Sequence, residues 1–416
     1  MSEPNPAESA NQEHRSWRVT MRQIATSQAL TSFLAIVVAL VLGAILIAAA
    51  DGSVQRSAGY LMARPGDFFT AVWNAVGGAY SALFQGAVVN ISTAHSAADV
   101  IAPATKTIAY SVPLIFAGLG LAVGFRAGLF NIGAQGQIIL GATLCGYIGF
   151  SWHLPVGLHL IVCIVGAFLG GALWGFIPGI LKAKTGANEV IVTIMLNSIS
   201  VFLLGYLLTL TAFRSPNSYA PISPRMDTSA QFPHFFGTPI DLGFILALAA
   251  AVAVWWMMER STLGFRIRAV GENPDAARTA GMNVSLTYMW VMIISGGLAG
   301  LAATSQLLSS PSQQLNVDVA STFGFDAITV ALLGRSKPLG TVLAGLLFGG
   351  LRAGGYLMQS STGTPIDIIL VVQSVIVLLI AAPPLVRSIF RLPDPERRNK
   401  KLARVQARAM RKEAAA

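Results

Sequence analysis

Charged residues are scarce in this sequence. Asp, Glu, Lys and Arg make up only 11% of its 416 residues, whereas ordinary soluble domains carry about a quarter. Hydrophobic residues account for 54%. A water-soluble domain of this length needs more polar surface than these residues can supply, which excludes the soluble class. The shortage of charge predicts a chain whose solvent is the lipid bilayer.

The motifs of several catalytic and nucleotide-binding classes are also absent. The sequence contains no Gly-Lys dipeptide, which a P-loop requires, and no HExxH zinc motif. Its histidines show no metal-binding or catalytic spacing, and we interpret them as interfacial or loop residues. They are His14, His95, His153, His159 and His234. We therefore predict no catalytic residue, no metal site and no cofactor site in this chain.

Cysteine is equally rare. The only two, Cys145 and Cys163, lie inside apolar blocks of the sequence. A free thiol in such a block behaves as a small hydrophobic side chain. The two residues therefore indicate neither a disulfide nor a metal site.

Long apolar blocks, by contrast, are abundant. They run for about 17 to 24 residues, the length of helix that crosses about 30 Å of hydrocarbon. Helices satisfy their own backbone hydrogen bonds in lipid, and the blocks lack the period-two alternation of membrane barrels. We therefore predict an all-α, polytopic membrane helix bundle of about ten spans. They are residues 28–50, 107–125, 130–150, 157–178, 190–212, 241–258, 286–308, 318–334, 339–358 and 366–386.

Basic residues are distributed unevenly between the joints that connect these spans. With a cytoplasmic N-terminus, the inner joints and the tail hold most of the lysines and arginines, and the outer joints hold few. This asymmetry follows the positive-inside rule and predicts that both termini are cytoplasmic. The net charge of +10 then suits lipid headgroups, so we expect membrane lipid as a partner and no nucleic acid.

The chain divides into a main membrane domain and three flanking parts. Residues 1–27 form a cytoplasmic N-terminal arm, and 28–106 hold a first span and an external loop. Within that loop 68–91 is apolar but carries amides and glycines, which predicts a helix that skims the membrane. Residues 107–386 form the main domain, and 387–416 a basic cytoplasmic tail. The Pro-rich outer loop 213–240 suits a partner surface or a simple connector equally well.

Polar side chains gather at two places inside the predicted spans. Amides lie where the block 130–150 begins, and polar residues recur every three or four positions along 188–200, so they share one helix face. Such a stripe faces the bundle interior or a water-filled cavity. Hydrogen-bonded contacts between helices and the lining of a substrate pathway are both open. The candidates for the pathway are Asn131, Gln135, Gln137, Glu189, Thr193 and Asn197.

The inner joint 259–285 carries the pattern of a short capped helix. Asn273 suits the N-cap, Pro274 the first helical position and Asp275 the positive end of the helix. Arg278 suits the negative end and Gly281 a left-handed stop. The helix could lie on the membrane surface or seat in a soluble motor subunit as a coupling helix. The residues assigned to it are Glu272, Asn273, Pro274, Asp275, Arg278 and Gly281.

Four separated segments resemble one family of membrane proteins. They are FNIGAQGQ (130–137), EVIVTIMLN (189–197), GFRIRAVGENPDAARTAGM (264–282) and GFDAITVALLGRSKPLGTVLAGLLFG (324–349). In this order they resemble the permease subunits of ABC importers for nucleosides and simple sugars, in the wider group of branched-chain amino-acid and ribose permeases. The resemblance covers residues 107–386. It departs at Gln135, where the family commonly carries Glu, so a charge-dependent role is lost there.

The resemblance implies a function and a set of partners. The chain would import nucleosides or simple sugars as a multi-pass protein of the cell membrane. A separate cytoplasmic ABC ATPase would bind ATP and Mg²⁺, and 272–281 would be the coupling helix. A second permease, identical or a sister chain, and an extracytoplasmic substrate-binding lipoprotein complete the implied assembly. The alternative is an ion-coupled secondary transporter, which would depend on membrane carboxylates such as Asp326 and Asp367.

Overall fold

The computed structural model describes residues 28–391 except 91–96, 217, 236, 237, 239 and 310–312. The predicted arm 1–27, and the predicted tail from residue 392 onward, lie outside this part of the chain. The described residues form helices and connecting turns, with two isolated β-bridges and no strand among them. The all-α prediction is confirmed.

Fifteen α-helices lie in the described part of the chain. They are α1 (Gln28–Ala50), α2 (Gly52–Ala58), α3 (Pro65–Ala87), α4 (Ala97–Arg126), α5 (Ala134–Ser151), α6 (Leu158–Thr185), α7 (Glu189–Leu207), α8 (Leu242–Arg260), α9 (Thr262–Glu272), α10 (Pro274–Thr279), α11 (Val284–Thr304), α12 (Phe323–Leu333), α13 (Pro338–Thr362), α14 (Asp367–Ala381) and α15 (Pro383–Ile389). A 3₁₀ turn spans Thr228–Ala230, and a π-helical turn, Ser305–Ser309, continues α11.

Seven helices of the described chain are long and apolar enough to cross a membrane. They are Leu30–Ala50, Asp99–Arg126, Leu158–Thr185, Glu189–Leu207, Leu242–Arg260, Val284–Ser309 and Pro338–Thr362. Phe323–Leu333 and Asp367–Ile380 are shorter apolar helices. Each of the ten predicted spans contains a helix, but α5 and α12 begin only at Ala134 and Phe323 because irregular backbone precedes them.

The stretch predicted as an external loop is largely helical. Asp51 caps α2 by accepting hydrogen bonds from the backbone N–H groups of Ser53 (2.8 Å) and Val54 (3.1 Å). The predicted helix 68–91 corresponds to α3, which begins at Pro65. This helix packs closely on α13, since a Cβ added at Gly86 would lie 2.9 Å from the Gly354 Cα. That α3 skims the membrane stays a prediction.

The described residues divide into two compact units, one that combines the chain up to Leu46 with the chain from Leu370 onward, and one that covers Ile47–Ile369. In the first unit Ala35, Leu379 and Val386 are buried in one small cluster. The second unit contains the large core and every candidate site described below.

Glycines bring α6 and α11 into backbone contact at the centre of the second unit. A Cβ added at Gly171 would overlap the carbonyl oxygen of Gly296, and one added at Gly175 would overlap that of Met292. Glycine at such positions lets two membrane helices approach until their main chains touch. The contact between α6 and α11 is therefore main chain against main chain.

His159 corrects the interpretation of the histidines as interfacial or loop residues. It lies in the first turn of α6 and is fully buried. Its Nδ1 lies 2.6 Å from Ser229 Oγ and its Nε2 lies 3.1 Å from the carbonyl oxygen of Ile148. Burial is possible here because both ring nitrogens have partners, which a sequence pattern alone does not reveal.

The Pro-rich segment 213–240 is anchored to the bundle in its middle. The backbone N–H of Asp227 donates to the carbonyl oxygen of Gly149 at 2.9 Å, and that of Phe232 donates to Leu308 at 2.9 Å. The backbone N–H and hydroxyl of Ser229 donate to the Asp227 carboxylate, which holds the pKa of Asp227 below its ordinary value. The middle of the segment is thus fixed to the bundle at these residues.

Candidate functional site

The chain breaks its helical course between α4 and α5. Gly128, with φ of +72°, turns the backbone, and Leu129 N–H donates back to the Gly124 carbonyl oxygen at 3.0 Å. Asn131 Oδ1 then accepts from the backbone N–H of Gly133 at 2.9 Å. This side chain takes the place of a helical hydrogen bond, so that α5 can begin one residue later.

Asn131 is also the centre of a buried polar cluster. Its Nδ2 donates to Gln137 Oε1 at 3.1 Å and to Ser295 Oγ of α11 at 3.0 Å. Gln137 Nε2 returns a bond to Asn131 Oδ1 at 3.3 Å. Asn131 is 0% and Gln137 1% exposed. We call Asn131, Gln137, Asn197 and Ser295 the amide cluster.

Asn197 ties α7 to the same break in the chain. Its Nδ2 donates to the carbonyl oxygen of Ile132 at 2.9 Å, and its Oδ1 accepts from the backbone N–H of Gly136 at 2.9 Å. The amide oxygen therefore binds a backbone N–H that the first turn of α5 leaves without a helical partner, and the amide nitrogen binds a carbonyl of the irregular segment before α5. The amide cluster holds three helices around one irregular segment.

The remaining predicted pathway residues lie at the border of the cluster. Thr193 is buried beside Gly133, and its hydroxyl donates to the Glu189 carbonyl oxygen at 2.7 Å. Glu189 forms an ion pair of 2.8 Å with Lys182. Gln135 is half-buried, and its backbone packs on Gly324 of α12. The structure thus gathers the six predicted residues in one region, while the lining of a pathway by them stays a prediction.

Trp174 is a member of this region that the sequence did not single out. Its indole Nε1 is buried and has no hydrogen-bond partner among the described residues. A Cβ added at Gly136 would lie 2.7 Å from this nitrogen and 3.0 Å from Ser200 Oγ. An unpartnered buried donor costs free energy, about 1–3 kcal/mol for a typical group. Trp174 therefore offers the region one free donor.

The predicted capped helix is present as α10. Asn273 Oδ1 accepts from the backbone N–H groups of Asp275 and Ala276, both at 3.0 Å, and Pro274 occupies the first helical position. Gly281 has the expected positive φ, +82°. Asp275 and Arg278 form an ion pair of 3.3 Å, and their side chains are 88% and 69% exposed. The capping prediction is confirmed, and the two charges are directed away from the protein.

A second short helix, α9, leads into α10 and was not predicted. Ser261 caps it by accepting from the backbone N–H of Gly264 at 3.0 Å. At its end a Cβ added at Gly271 would overlap the carbonyl oxygen of Arg126, the last residue of α4. Arg126 Nε donates to the carbonyl oxygen of Ser336 at 3.2 Å. The α9–α10 element therefore rests on the turn that leads to Asn131.

A separate cavity of about 740 Å³ opens between α4, α13 and the π-helical turn. Tyr110 and Tyr356 line it with ring centroids 5.7 Å apart and planes 30° from parallel. Lys106, Gln306 and Ser360 add polar groups to its wall. We call it the tyrosine cavity. The sequence prediction did not include it, because its walls come from segments far apart in the chain.

Two charged residues of the helix bundle, Asp326 and Arg352, form a pair. Arg352 of α13 lies 3.6 Å from Asp326 of α12, and its guanidinium lies 4.4 Å from the ring centroid of Phe323. The hydroxyl of Thr322 also donates to Asp326 at 2.8 Å. A carboxylate engaged in this way is a contact between helices, so the described geometry gives it a structural role.

Comparison with known proteins matches most of the chain to one protein family. Residues 104–381 match the family described as branched-chain amino acid transport system / permease component. The guanosine ABC transporter permease protein of Bacillus subtilis is 38% identical over 286 residues, covering 68% of this chain and 82% of the relative. No solved structure matches the chain.

Two further relatives differ in the substrate that their names give. The nucleoside ABC transporter permease protein of Lactococcus lactis subsp. cremoris is 34% identical over 296 residues, covering 66% of this chain and 78% of the relative. The glucose ABC transporter permease protein of Haloferax volcanii is 33% identical over 287 residues, covering 66% of this chain and 75% of the relative.

Proposed function

The chain belongs to the permease-component family of the branched-chain amino acid transport system, and we propose that it imports nucleosides. It is a multi-pass protein of the cell membrane and acts as the permease subunit of an ABC importer. The relatives described above are all ABC permeases. They give no support to the alternative of an ion-coupled secondary transporter.

The substrate class is argued from two sources. Two of the three relatives described above are named for guanosine or nucleosides, including the one with 38% identity. In addition, the polar groups of this chain's membrane interior are mainly amides and hydroxyls, which donate and accept hydrogen bonds together and suit an uncharged solute rich in such groups. We therefore prefer nucleosides, with simple sugars as the second candidate.

The energy source and the partners follow as part of the proposal. A separate cytoplasmic ATPase would bind ATP and Mg²⁺, a second permease would complete the membrane part, and an extracytoplasmic binding lipoprotein would deliver the solute. Both termini of this chain would then be cytoplasmic, in agreement with the distribution of basic residues. The α9–α10 element would face the ATPase.

The single observation that carries the coupling proposal is the position of α9–α10. Its tip carries two exposed opposite charges, and its base touches the main chain at Arg126. From there only a few residues separate the contact from Asn131 and the amide cluster. A displacement of α10 by the ATPase would thus reach the irregular segment that α5, α7 and α11 hold in place. The cluster has discrete hydrogen bonds, so two arrangements of it would correspond to two transport states.

Charge reversal at the tip of α10 tests this role. An exposed ion pair contributes about 0–1 kcal/mol to stability, so reversing Asp275 or Arg278 leaves folding nearly unchanged. We expect Asp275→Arg and Arg278→Asp each to abolish most uptake of labelled nucleoside in whole cells, with normal amounts of the protein in the membrane. Asp67→Arg, at an exposed carboxylate of α3, is the matched control.

The doubly swapped variant distinguishes the loss of the ion pair within α10 from a change in the charges that a partner protein contacts. Asp275→Arg combined with Arg278→Asp preserves an ion pair within α10 but exchanges the two charges seen by a partner. Continued loss of uptake in this variant supports contact with the ATPase. Full uptake in the swapped variant, or in both single variants, contradicts the coupling role. Uptake that stops on collapse of the proton gradient while ATP is maintained contradicts the ABC mechanism itself.

A further inference from the structure

We propose that the tyrosine cavity is a site of the membrane domain that binds the solute during transport, with its nucleobase against Tyr110 and Tyr356. The proposal rests on the import of nucleosides proposed above and names the place where this chain holds them. None of its residues belongs to the amide cluster or to α9–α10, so it is an independent site of the same unit.

The size of the cavity suits one small solute. Its volume of about 740 Å³ lies within the range of about 300–1,000 Å³ typical of small-molecule sites. Its wall reaches from Ser360, near the end of α13, to Ser305 at the end of α11. His234 and Thr238 of the connector segment lie along the same wall. The cavity therefore lies at the end of the bundle predicted to be external.

The aromatic pair gives the cavity a preference for flat solutes. The rings of Tyr110 and Tyr356 stack with centroids 5.7 Å apart, and both residues stay partly exposed, Tyr356 by 46%. An aromatic face in a partly polar cavity attracts another π-system, and every nucleobase has such a face. Ribose and glucose lack it. The pair thus distinguishes a nucleoside from a free sugar.

Polar groups beside the rings suit the edges and hydroxyls of a nucleoside. Lys106 lies one helical turn before Tyr110 and shares its face of α4. Gln306 donates one hydrogen bond, from Nε2 to Ser305 Oγ at 3.4 Å, and its Oε1 accepts none from the described residues. No acidic side chain lines the described wall, so an uncharged solute is favoured over a cation.

The π-helical turn places Gln306 at the wall. Ser305–Ser309 has one extra residue per hydrogen-bonded ring compared with an α-helix, which widens the turn and alters the direction of its side chains. Turns of this kind are frequent at functional sites. Here the turn at the end of α11 brings Ser305, Gln306 and Ser309 to one cavity.

Protection of an introduced thiol tests occupancy directly. Ser360→Cys places a thiol in the cavity wall, and the natural Cys145 and Cys163 are fully buried, so they give little background. The complete transporter in membrane vesicles is treated with a charged thiol reagent, with and without adenosine or ribose. We expect adenosine to slow the labelling severalfold and ribose to have little effect. Tyr219→Cys, at a fully exposed residue outside the cavity, is the control.

Tyr356→Ala and Tyr356→Phe then test the stacking contact in the same Ser360→Cys background. Loss of one stacked base contact predicts an adenosine concentration for half-protection on the order of 5- to 150-fold higher with Ala. Phe keeps the ring and should preserve protection. Equal protection by ribose and adenosine, no protection, protection of the Tyr219→Cys control, or an unchanged midpoint with Ala would overturn the proposal.

Failure of the proposed function is distinguishable from failure of this site. A wild-type complex that takes up glucose but no nucleoside refutes nucleoside import, whatever the labelling shows. Nucleoside uptake with unprotected Ser360→Cys refutes the tyrosine cavity alone. If Tyr356→Ala fails to reach the membrane, the comparison of adenosine with ribose on the parent Ser360→Cys protein still decides.

Discussion

At Asn131 a single side chain satisfies groups on three parts of the chain. Its oxygen accepts from Gly133 and from Gln137, and its nitrogen donates to Gln137 and to Ser295. Because the residue is fully buried, water cannot replace any of these bonds. The geometry therefore depends on an amide at this position.

Replacing Asn131 with Ala should destabilise the protein by about 2–4 kcal/mol, because each buried polar group left without a partner costs about 1–3 kcal/mol. Thermal unfolding of the purified protein in detergent measures the effect. Gln359→Ala, which truncates an exposed amide on α13, is the control and should unfold as the wild type does. An Asn131→Ala protein as stable as the control would show that the cluster contributes no net stability.

The sequence predicted part of this cluster. Polar spacing along 188–200 correctly placed Thr193 and Asn197 on one face, since a helix fixes that geometry locally. Ser295 was not predicted, because it lies 164 positions from Asn131 and joins it only through the packing of α11. Trp174 was missed for a similar reason: nothing local to an apolar helix shows where an indole nitrogen points.

Among the elements, α10 was predicted from its sequence and α9 was not. The caps of α10 are local, since Asn273, Pro274 and Gly281 act through their own backbone. The start of α9 depends on its cap, Ser261. This residue directly follows the charged end of α8, so the sequence there looks like an irregular connecting segment and not like the start of a new helix. The end of α9 is local, because Asn273 precedes Pro274 and adopts an extended conformation.

Packing between α6 and α11 allows a test at the scale of the element. A side chain at Gly171 has no room, because its Cβ would overlap the Gly296 carbonyl oxygen and come 2.7 Å from the Gly300 Cα. Gly171→Val should therefore force the helices apart, lower the thermal midpoint and reduce uptake. Overpacking a well-packed core in this way typically costs about 1–3 kcal/mol.

Gly205→Ala on α7 is the matched control for this substitution. Nothing lies within 4 Å of a Cβ added there, and Ala stabilises a helix interior relative to Gly by about 0.5–1 kcal/mol. We expect this variant to be as stable as the wild type or slightly more so. Equal stability of the Gly171→Val and Gly205→Ala proteins would show that α6 and α11 do not depend on their backbone contact.

For the whole molecule, the proposed orientation places Tyr219 outside the cell and Arg278 inside. The Tyr219 side chain is fully exposed and that of Arg278 69% exposed, so both sites are accessible to a reagent on their own side. A membrane-impermeant thiol reagent added to intact cells should label Tyr219→Cys and leave Arg278→Cys unlabelled until the cells are opened. The reverse pattern would invert the proposed topology.

The sequence predicted the class of the whole molecule but not its cavity. Apolar length and scarce charge require a helical membrane protein, because lipid leaves the backbone few alternatives. The tyrosine cavity has no such local cause. It forms where Lys106 and Tyr110 on α4, Gln306 after α11 and Tyr356 on α13 meet, and no local pattern relates these distant segments.

The contact between Gly271 and Arg126 has a mechanical consequence. The two main chains touch there, so the contact contains no side chain whose rotamer could change to take up a displacement of α9. A displacement of α9 would therefore pass directly to the end of α4. A larger residue at position 271 would hold the two main chains apart and shift the resting position of α10. The movement that α10 passes to α4 would then start from an altered position.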